Sequence, residues 1–182
     1  MITRQLARSE LPLIWTIDRR EVIENVYRLQ DGELVLEPDH FDVPGWAPGR
    51  PEAETPEFEA CFDRGGCFAG AFDEATLAGI AVVDRKRVGA AKDLVQLTFL
   101  HVGRDFRGQG LGARLFAEAA RAANRFGAGG LYISATPSEN TIHFYQRRGC
   151  TLTEPDAELF RLEPEDIHFE WRPPERPVVH RA

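Results

Sequence analysis

Val102-Gly103-Arg104-Asp105-Phe106-Arg107-Gly108-Gln109-Gly110-Leu111-Gly112 joins two segments of opposite character. Before it, Leu94 to Val102 is an apolar run of strand composition. After it, Leu111, Leu115, Phe116, Ala119, Ala122, Ala123 and Phe126 recur at helical spacing, with Arg114, Glu118, Arg121 and Arg125 on the opposite side. A glycine-rich turn feeding a helix presents backbone N–H groups to an anion, and the helix dipole adds a favourable partial charge. Gly108, Gly110 and Gly112 remove side chains that would block approach to a pyrophosphate, and Arg107 can add a charge-assisted contact. Taken alone, the run also fits a tight turn with close helix packing.

Two common nucleotide motifs fit poorly. The dinucleotide fingerprint places its first glycine directly after the first parallel strand, whereas here Gly103 to Arg107 intervene and several strand candidates come earlier. A P-loop needs Gly-Lys followed by Ser or Thr, which this run lacks. In the preceding strand Val95, Leu97 and Phe99 alternate on odd positions, while Leu100 and Val102 continue on even ones. A bulge between Phe99 and Leu100 would reconcile the two patterns and turn backbone N–H groups out of the ladder. A central strand apolar on both faces is the alternative.

Working outward, Cys67 to Phe72, Leu77 to Val83 and Leu94 to Val102 sit at hairpin spacing and predict an antiparallel meander. Asp31-Gly32 between Val26–Gln30 and Glu33–Glu37 predicts a two-residue hairpin. A short strand over Ile2 to Leu6 and a helix capped by Ser9 precede it. Asp39 to Pro56, rich in proline and glycine, reads as a long loop, and Glu57 to Arg64 as a short helix closed by Gly65-Gly66. Beyond the central helix, Leu131 to Ala135 is a strand, Ser138 caps a helix running to Arg148, and Cys150–Thr153 and Ile167–Trp171 are further strands. Strand, helix, strand implies a right-handed parallel crossover joined to the meander. The fold class is therefore α/β, a mixed sheet flanked by helices, with one domain over 1–172 and a tail over 173–182.

The chain has 182 residues, 43% hydrophobic and 28% charged, an ordinary globular balance. Three scattered cysteines define no disulfide framework, so a reducing cytoplasm is expected. No stretch approaches a membrane span, and a net charge of -7 argues against nucleic acid as a partner. The acidity is local: ten acidic residues and one basic, Arg50, lie between Asp31 and Asp63. The five histidines form no short ligand cluster and no CxxC pair is present, so no metal is expected. A Gly-x-Ser-x-Gly elbow is also missing.

Arg107 to Gly112, with the strand before it, is similar to the phosphate loop of the GNAT superfamily of N-acetyltransferases, whose core is Arg or Gln, two residues, Gly, one residue, then Gly or Ala. Ser138-Glu139-Asn140-Thr141-Ile142-His143-Phe144-Tyr145-Gln146-Arg147-Arg148-Gly149-Cys150 resembles that family's second conserved helix and its following turn. Together the segments cover roughly Leu94 to Thr153. The resemblance implies a mainly antiparallel sheet with a central parallel splay. It also implies acetyl-CoA as donor, with its pyrophosphate at Arg107, Gly108, Gln109, Gly110, Leu111 and Gly112. Pantetheine would lie in the splay, backbone amides near Leu100 and Val102 would receive the thioester carbonyl, and Asn140 would touch the cofactor arm.

Acyl transfer to nitrogen also needs proton traffic. By the resemblance, Tyr145 is the acid that protonates the departing thiolate. One subgroup of the family carries a glutamate base on the strand before the phosphate loop; the nearest position here is Gln96, which cannot serve. His101 is the side-chain candidate, with a water chain or an acceptor of low pKa as alternatives. The region between the first two strands shapes the acceptor site in this family, which brings in Tyr27, Phe41, Asp42 and Trp46. A cationic small-molecule or peptide amine is the expected acceptor, attacking directly in a ternary complex. A solvated acidic surface with Trp46 anchoring a loop is the competing account. A homodimer and a non-catalytic acyl-CoA-binding or protein-interaction module on the same fold also stay open.

Overall fold

The computed structural model describes residues 1–174. The expected tail at 173–182 falls, from Glu175 onward, outside the described residues. The elements are β1 (Ile2–Gln5), a 3-10 helix (Arg8–Thr16), β2 (Glu21–Gln30), β3 (Glu33–Val43), α1 (Arg50–Asp63), β4 (Cys67–Asp73), β5 (Thr76–Val88) and β6 (Leu94–Val102). After the glycine turn come α2 (Leu111–Arg125), β7 (Gly130–Ala135), α3 (Glu139–Gln146), β8 (Thr151–Leu152), α4 (Ala157–Leu162) and β9 (Ile167–Trp171).

Seven strands form one mixed sheet in the order β1-β4-β5-β6-β7-β9-β8, and β2–β3 stand apart as a two-stranded hairpin. The meander β4–β5–β6 is antiparallel, and β6–β7 is the parallel pair that the α2 crossover joins. Asp31 and Gly32 both take positive φ, 50° and 84°, as a two-residue turn between twisted strands requires.

Both faces of the sheet are covered. Leu111, Leu115, Phe116, Ala119, Ala122 and Ala123 of α2 are buried in a cluster with Leu97, Ile133, Ile142 and Phe169. The 3-10 helix and α1 cover the other face, where Leu11, Ile14 and Phe58 meet Phe68, Ile80 and Phe99. Together these two apolar layers provide the burial that drives folding.

Several expectations need correction. The bulge lies one residue earlier than the sequence pattern suggested: Val83 pairs with Leu97 and Val82 with Phe99, leaving Thr98 as the extra residue. Leu97 consequently packs toward α2 while Phe99 faces α1. Regular alternation then resumes, returning Leu100 and Val102 to the α2 side. The apolar positions on Leu97 and Phe99 thus belonged to opposite faces, which periodicity alone hides.

The expected loop from Asp39 to Pro56 is mostly regular structure, because β3 runs to Val43 and α1 starts at Arg50 with Pro51 in its first turn. Only Pro44 to Gly49 connects them. Ser9 is not the cap of the 3-10 helix; Glu10 turns back to accept from the Ala7 N–H at 2.8 Å. Ser138 holds the cap position of α3 but gives its hydroxyl hydrogen to Thr141 Oγ1 at 2.9 Å. The acidic stretch after β8 contains α4, capped by the Asp156 side chain accepting from Glu158 N–H.

Candidate active site

β6 and β7 pair only over Leu94–Gln96 with Gly130–Tyr132, and the sheet splays beyond them. On its other edge β6 stays joined to β5, with Ile80 opposite His101 and Gly103 N–H donating to Ala78 O at 2.8 Å. Successive N–H groups of a strand point to opposite edges. Since Gly103 donates toward β5, His101 does also, and the N–H groups of Leu100 and Val102 point into the splay. There they meet the wall of a cleft of about 1200 Å³.

The start of α2 lines the same cleft. Gly108 and Gly110 are left-handed, at φ 74° and 78°, and a Cβ at either would meet nothing within 4 Å. Their need for glycine is conformational, and the open space beside them is room for a ligand. Gly110 is the N-cap, supplies no side-chain acceptor, and receives the first helical bond from Arg114 N–H. The N–H groups at Leu111, Gly112 and Ala113 precede that bond, so the first turn of a 15-residue helix offers donors to the cleft.

Three of the residues expected at the pyrophosphate also have partners inside the protein. Gly112 serves packing: a Cβ there would lie 2.8 Å from Phe144 Cε2, so its absence lets α3 approach α2. The guanidinium of Arg107 is engaged within the protein, Nε donating to Val102 O at 3.0 Å and the two terminal nitrogens to Arg20 O and Arg19 O at 3.3 Å. It fastens the glycine turn to the segment before β2, so that an anion entering the cleft would meet chiefly backbone donors. Gln109 folds back to donate to Asp105 O at 3.0 Å, and its side chain does not line the cleft.

Opposite the splay, Asn140 and Tyr145 of α3 line the cleft together with Ser134 and Ala135 of β7. Tyr145 is 6% exposed and packs against Phe116, Phe144 and Phe169. Burial pushes its phenol above the ordinary tyrosine value, which keeps the proton on it throughout the neutral range.

The remaining wall comes from the segment before β2, the end of β3 and the turn before β9. Phe41, Asp42, Gln96 and His101 line the cleft. Burial, then the charges of Arg19, Arg50 and Arg107, push His101 down to about 3, so its imidazole is neutral and a feeble base. Glu163 and Asp166 face the same space. Burial, then the neighbouring Glu163 carboxylate, pushes Asp166 up to about 7. That pair places a carboxyl able to exchange a proton near neutral pH in the cleft.

The comparisons agree with this geometry. The model of the acetyltransferase (GNAT) family matches residues 26–150. The chain belongs to the GNAT family. Among solved structures, a nourseothricin acetyltransferase is similar at 22% identity and a TM-score of 0.68, over 93% of this chain and 95% of that one. A putative streptothricin acetyltransferase from Bacillus anthracis str. Ames, in complex with acetyl coenzyme A, is similar at 16% identity and 0.65, over 94% and 96%. The Salmonella typhimurium protein yncA, a putative acetyltransferase with its cofactor acetyl-CoA, is similar at 14% identity and 0.62, over 100% and 99%. At these identities the structures bear on fold. No curated protein matches the chain.

Within this GNAT fold the residues read from the sequence separate into two groups. Leu100, His101, Val102, Arg107, Gly108, Gly110, Leu111, Gly112, Asn140, Tyr145, Gln96, Phe41 and Asp42 share one cleft. Gln109, Tyr27 and Trp46 do not line it. The Tyr27 hydroxyl meets His143 Nε2 at 2.9 Å, fixing the hairpin to α3. Trp46 donates to Ile17 O at 3.0 Å and stacks on Phe99, anchoring the turn between β3 and α1.

The local acidity is also largely outside the cleft, since Asp42 is the one acid of the Asp31–Asp63 segment that lines it. Glu37 and Asp39 pair with Arg28, Glu54 with Arg50, and Glu59 and Asp63 with Arg8. Sequence reading missed Arg19, Glu163 and Asp166. The last two sit in an acidic stretch with no motif, and only chain folding brings them to the cleft. Among the described residues no cluster of His, Cys, Asp and Glu could hold a metal, and no helix is long and apolar enough to cross a membrane.

Proposed function

We propose that the protein is an acetyl-CoA-dependent N-acetyltransferase acting on a primary amine by direct attack in a ternary complex. The observation that carries this reading is the convergence of two sets of backbone donors on one cleft, Leu100 and Val102 at the splay and the uncapped start of α2. The helix start suits the pyrophosphate of the donor. The splay N–H groups suit the thioester oxygen, where they stabilise negative charge as the amine adds to the carbonyl carbon. As the carbon–sulfur bond breaks, Tyr145 gives its proton to the sulfur. The Glu163–Asp166 pair receives the proton that the amine loses.

The test is an amine panel with acetyl-CoA, followed by thiol release and by mass analysis of the acceptor. A gain of about 42 Da on an amine supports the reading, since acetylation is a covalent addition. CoA release without a modified amine indicates hydrolysis, and binding without either product indicates the non-catalytic module.

Asp166→Asn provides a pH test. A carboxyl with its value near 7 is a proton acceptor only when ionised, so wild-type kcat/KM should rise through neutral pH. The asparagine variant should be slower by ~10²-fold or more and should lack the inflection near pH 7. Its stability should change oppositely. A raised carboxyl value favours the folded state at low pH and loses that contribution as pH climbs from the unfolded value toward about 7. The variant should therefore melt higher than wild type at pH 8. An unchanged pH profile would remove Asp166 from proton transfer.

A further inference from the structure

We infer that the acceptor carries an anionic group beside its amine, a carboxylate as in an amino acid, and that Arg19 with Arg50 is the site that binds it. This rests on the acetyltransferase reading and names the substrate class of the same cleft. Arg19 and Arg50 both line that cleft, their guanidinium carbons 5.0 and 5.7 Å from the Trp46 ring centroid. The ring of His101 lies 5.0 Å from the same indole, so three groups are gathered around one anchored aromatic. Arg50 is paired with Glu54. Arg19 makes no ion pair among the described residues, and its Nε, like those of Arg50 and Arg148, is buried without a hydrogen-bond partner.

A half-buried guanidinium held over an aromatic and lacking a carboxylate is costly to maintain. Glu21 and Glu54 lie near enough to favour its charge, but burial and the adjacent Arg50 outweigh them and lower its value. An incoming carboxylate would supply the missing bidentate partner. The charges acting on His101 are those of Arg19, Arg50 and Arg107, all positive, so the field beside the end of β6 favours an anion. Of the ten acids expected to attract a bare cation, five are paired on the surface with arginines and Asp42 alone lines the cleft. Glu163 and Asp166, on the same cleft, can receive the ammonium before it is deprotonated. An amine and a carboxylate on one acceptor thus meet opposite charges in one cleft, and Trp46, outside the cleft, backs the two guanidinium groups that face the carboxylate end.

The test uses matched pairs, each an α-, β- or γ-amino acid against its carboxamide, with the wild-type enzyme, Arg19→Gln and Arg19→Lys. The acid should be preferred in kcat/KM by ~10- to 100-fold, the range expected for charge-assisted hydrogen bonds. In Arg19→Gln that preference should collapse through KM, with kcat and the acetyl-CoA Kd changed far less. Arg19→Lys should restore part of it. Equal or reversed preference in wild type would overturn the inference. So would an Arg19→Gln protein whose acetyl-CoA affinity falls as much as its acceptor KM rises, because Arg19 would then belong to the donor. Transfer to none of the pairs, with acetyl-CoA still binding, would also sink it while leaving the donor site intact. Loss of acetyl-CoA binding in the wild type would instead strike the parent reading.

Discussion

Tyr145→Phe should leave acetyl-CoA binding nearly unchanged and lower kcat by roughly 10²- to 10⁴-fold when proton transfer limits the rate. The ring is packed against Phe116, Phe144 and Phe169, and phenylalanine keeps that packing. What it loses is the phenolic proton. Burial keeps that proton in place at neutral pH, so the hydroxyl is a donor when negative charge appears on sulfur. The comparison needs the best acceptor from the amine panel, a donor Kd and a thermal melt. A near-normal kcat, with chemistry shown to be rate-limiting, would give the acid role to water or to another side chain.

Gly110→Val should weaken acetyl-CoA binding by ~10- to 100-fold, as expected when charge-assisted backbone donors are displaced. Gly110 has φ 78°, and a β-branched residue is strained there by about 1–2 kcal/mol. Relief of that strain moves the first turn of α2, whose N–H groups are the proposed phosphate donors. Since no atom lies within 4 Å of the added Cβ, a clash inside the protein is not the cause. The effect therefore separates a phosphate cradle from a packing turn. Gly112→Ala provides the contrast: its Cβ presses on Phe144, so stability should suffer before donor affinity does. A folded Gly110→Val protein with wild-type donor affinity would favour the packing turn.

The half of the cleft proposed to hold the donor was legible because it is built from local features. A glycine turn, a strongly amphipathic helix and a short following strand each leave their mark in the sequence, and the proposed donor-binding groups belong to the backbone. The slip in alternation around Phe99 was also visible, but its placement at Thr98 depends on which face each neighbour covers. The acceptor half was much less readable. Trp46 and the acids around it looked like a binding loop, yet tertiary contacts turned the indole toward Ile17 and five of the ten carboxylates toward Arg8, Arg28 and Arg50. Arg19, Glu163 and Asp166 carry no local pattern, and Arg19 lies far in the chain from the other two. Only the folded cleft assembles them. His101 lines the cleft, while burial and then three arginines supplied from other segments lower its basicity.

The central claim is that backbone amides at the open end of β6 and at the start of α2 hold the donor. Hydrogen exchange with and without saturating acetyl-CoA reads those amides individually. The account predicts strong slowing at Leu100 and Val102 and across Gly108 to Ala113, with little change in the β2–β3 turn at Asp31-Gly32. Saturation without protection at those amides, or no binding at millimolar acetyl-CoA, would contradict it.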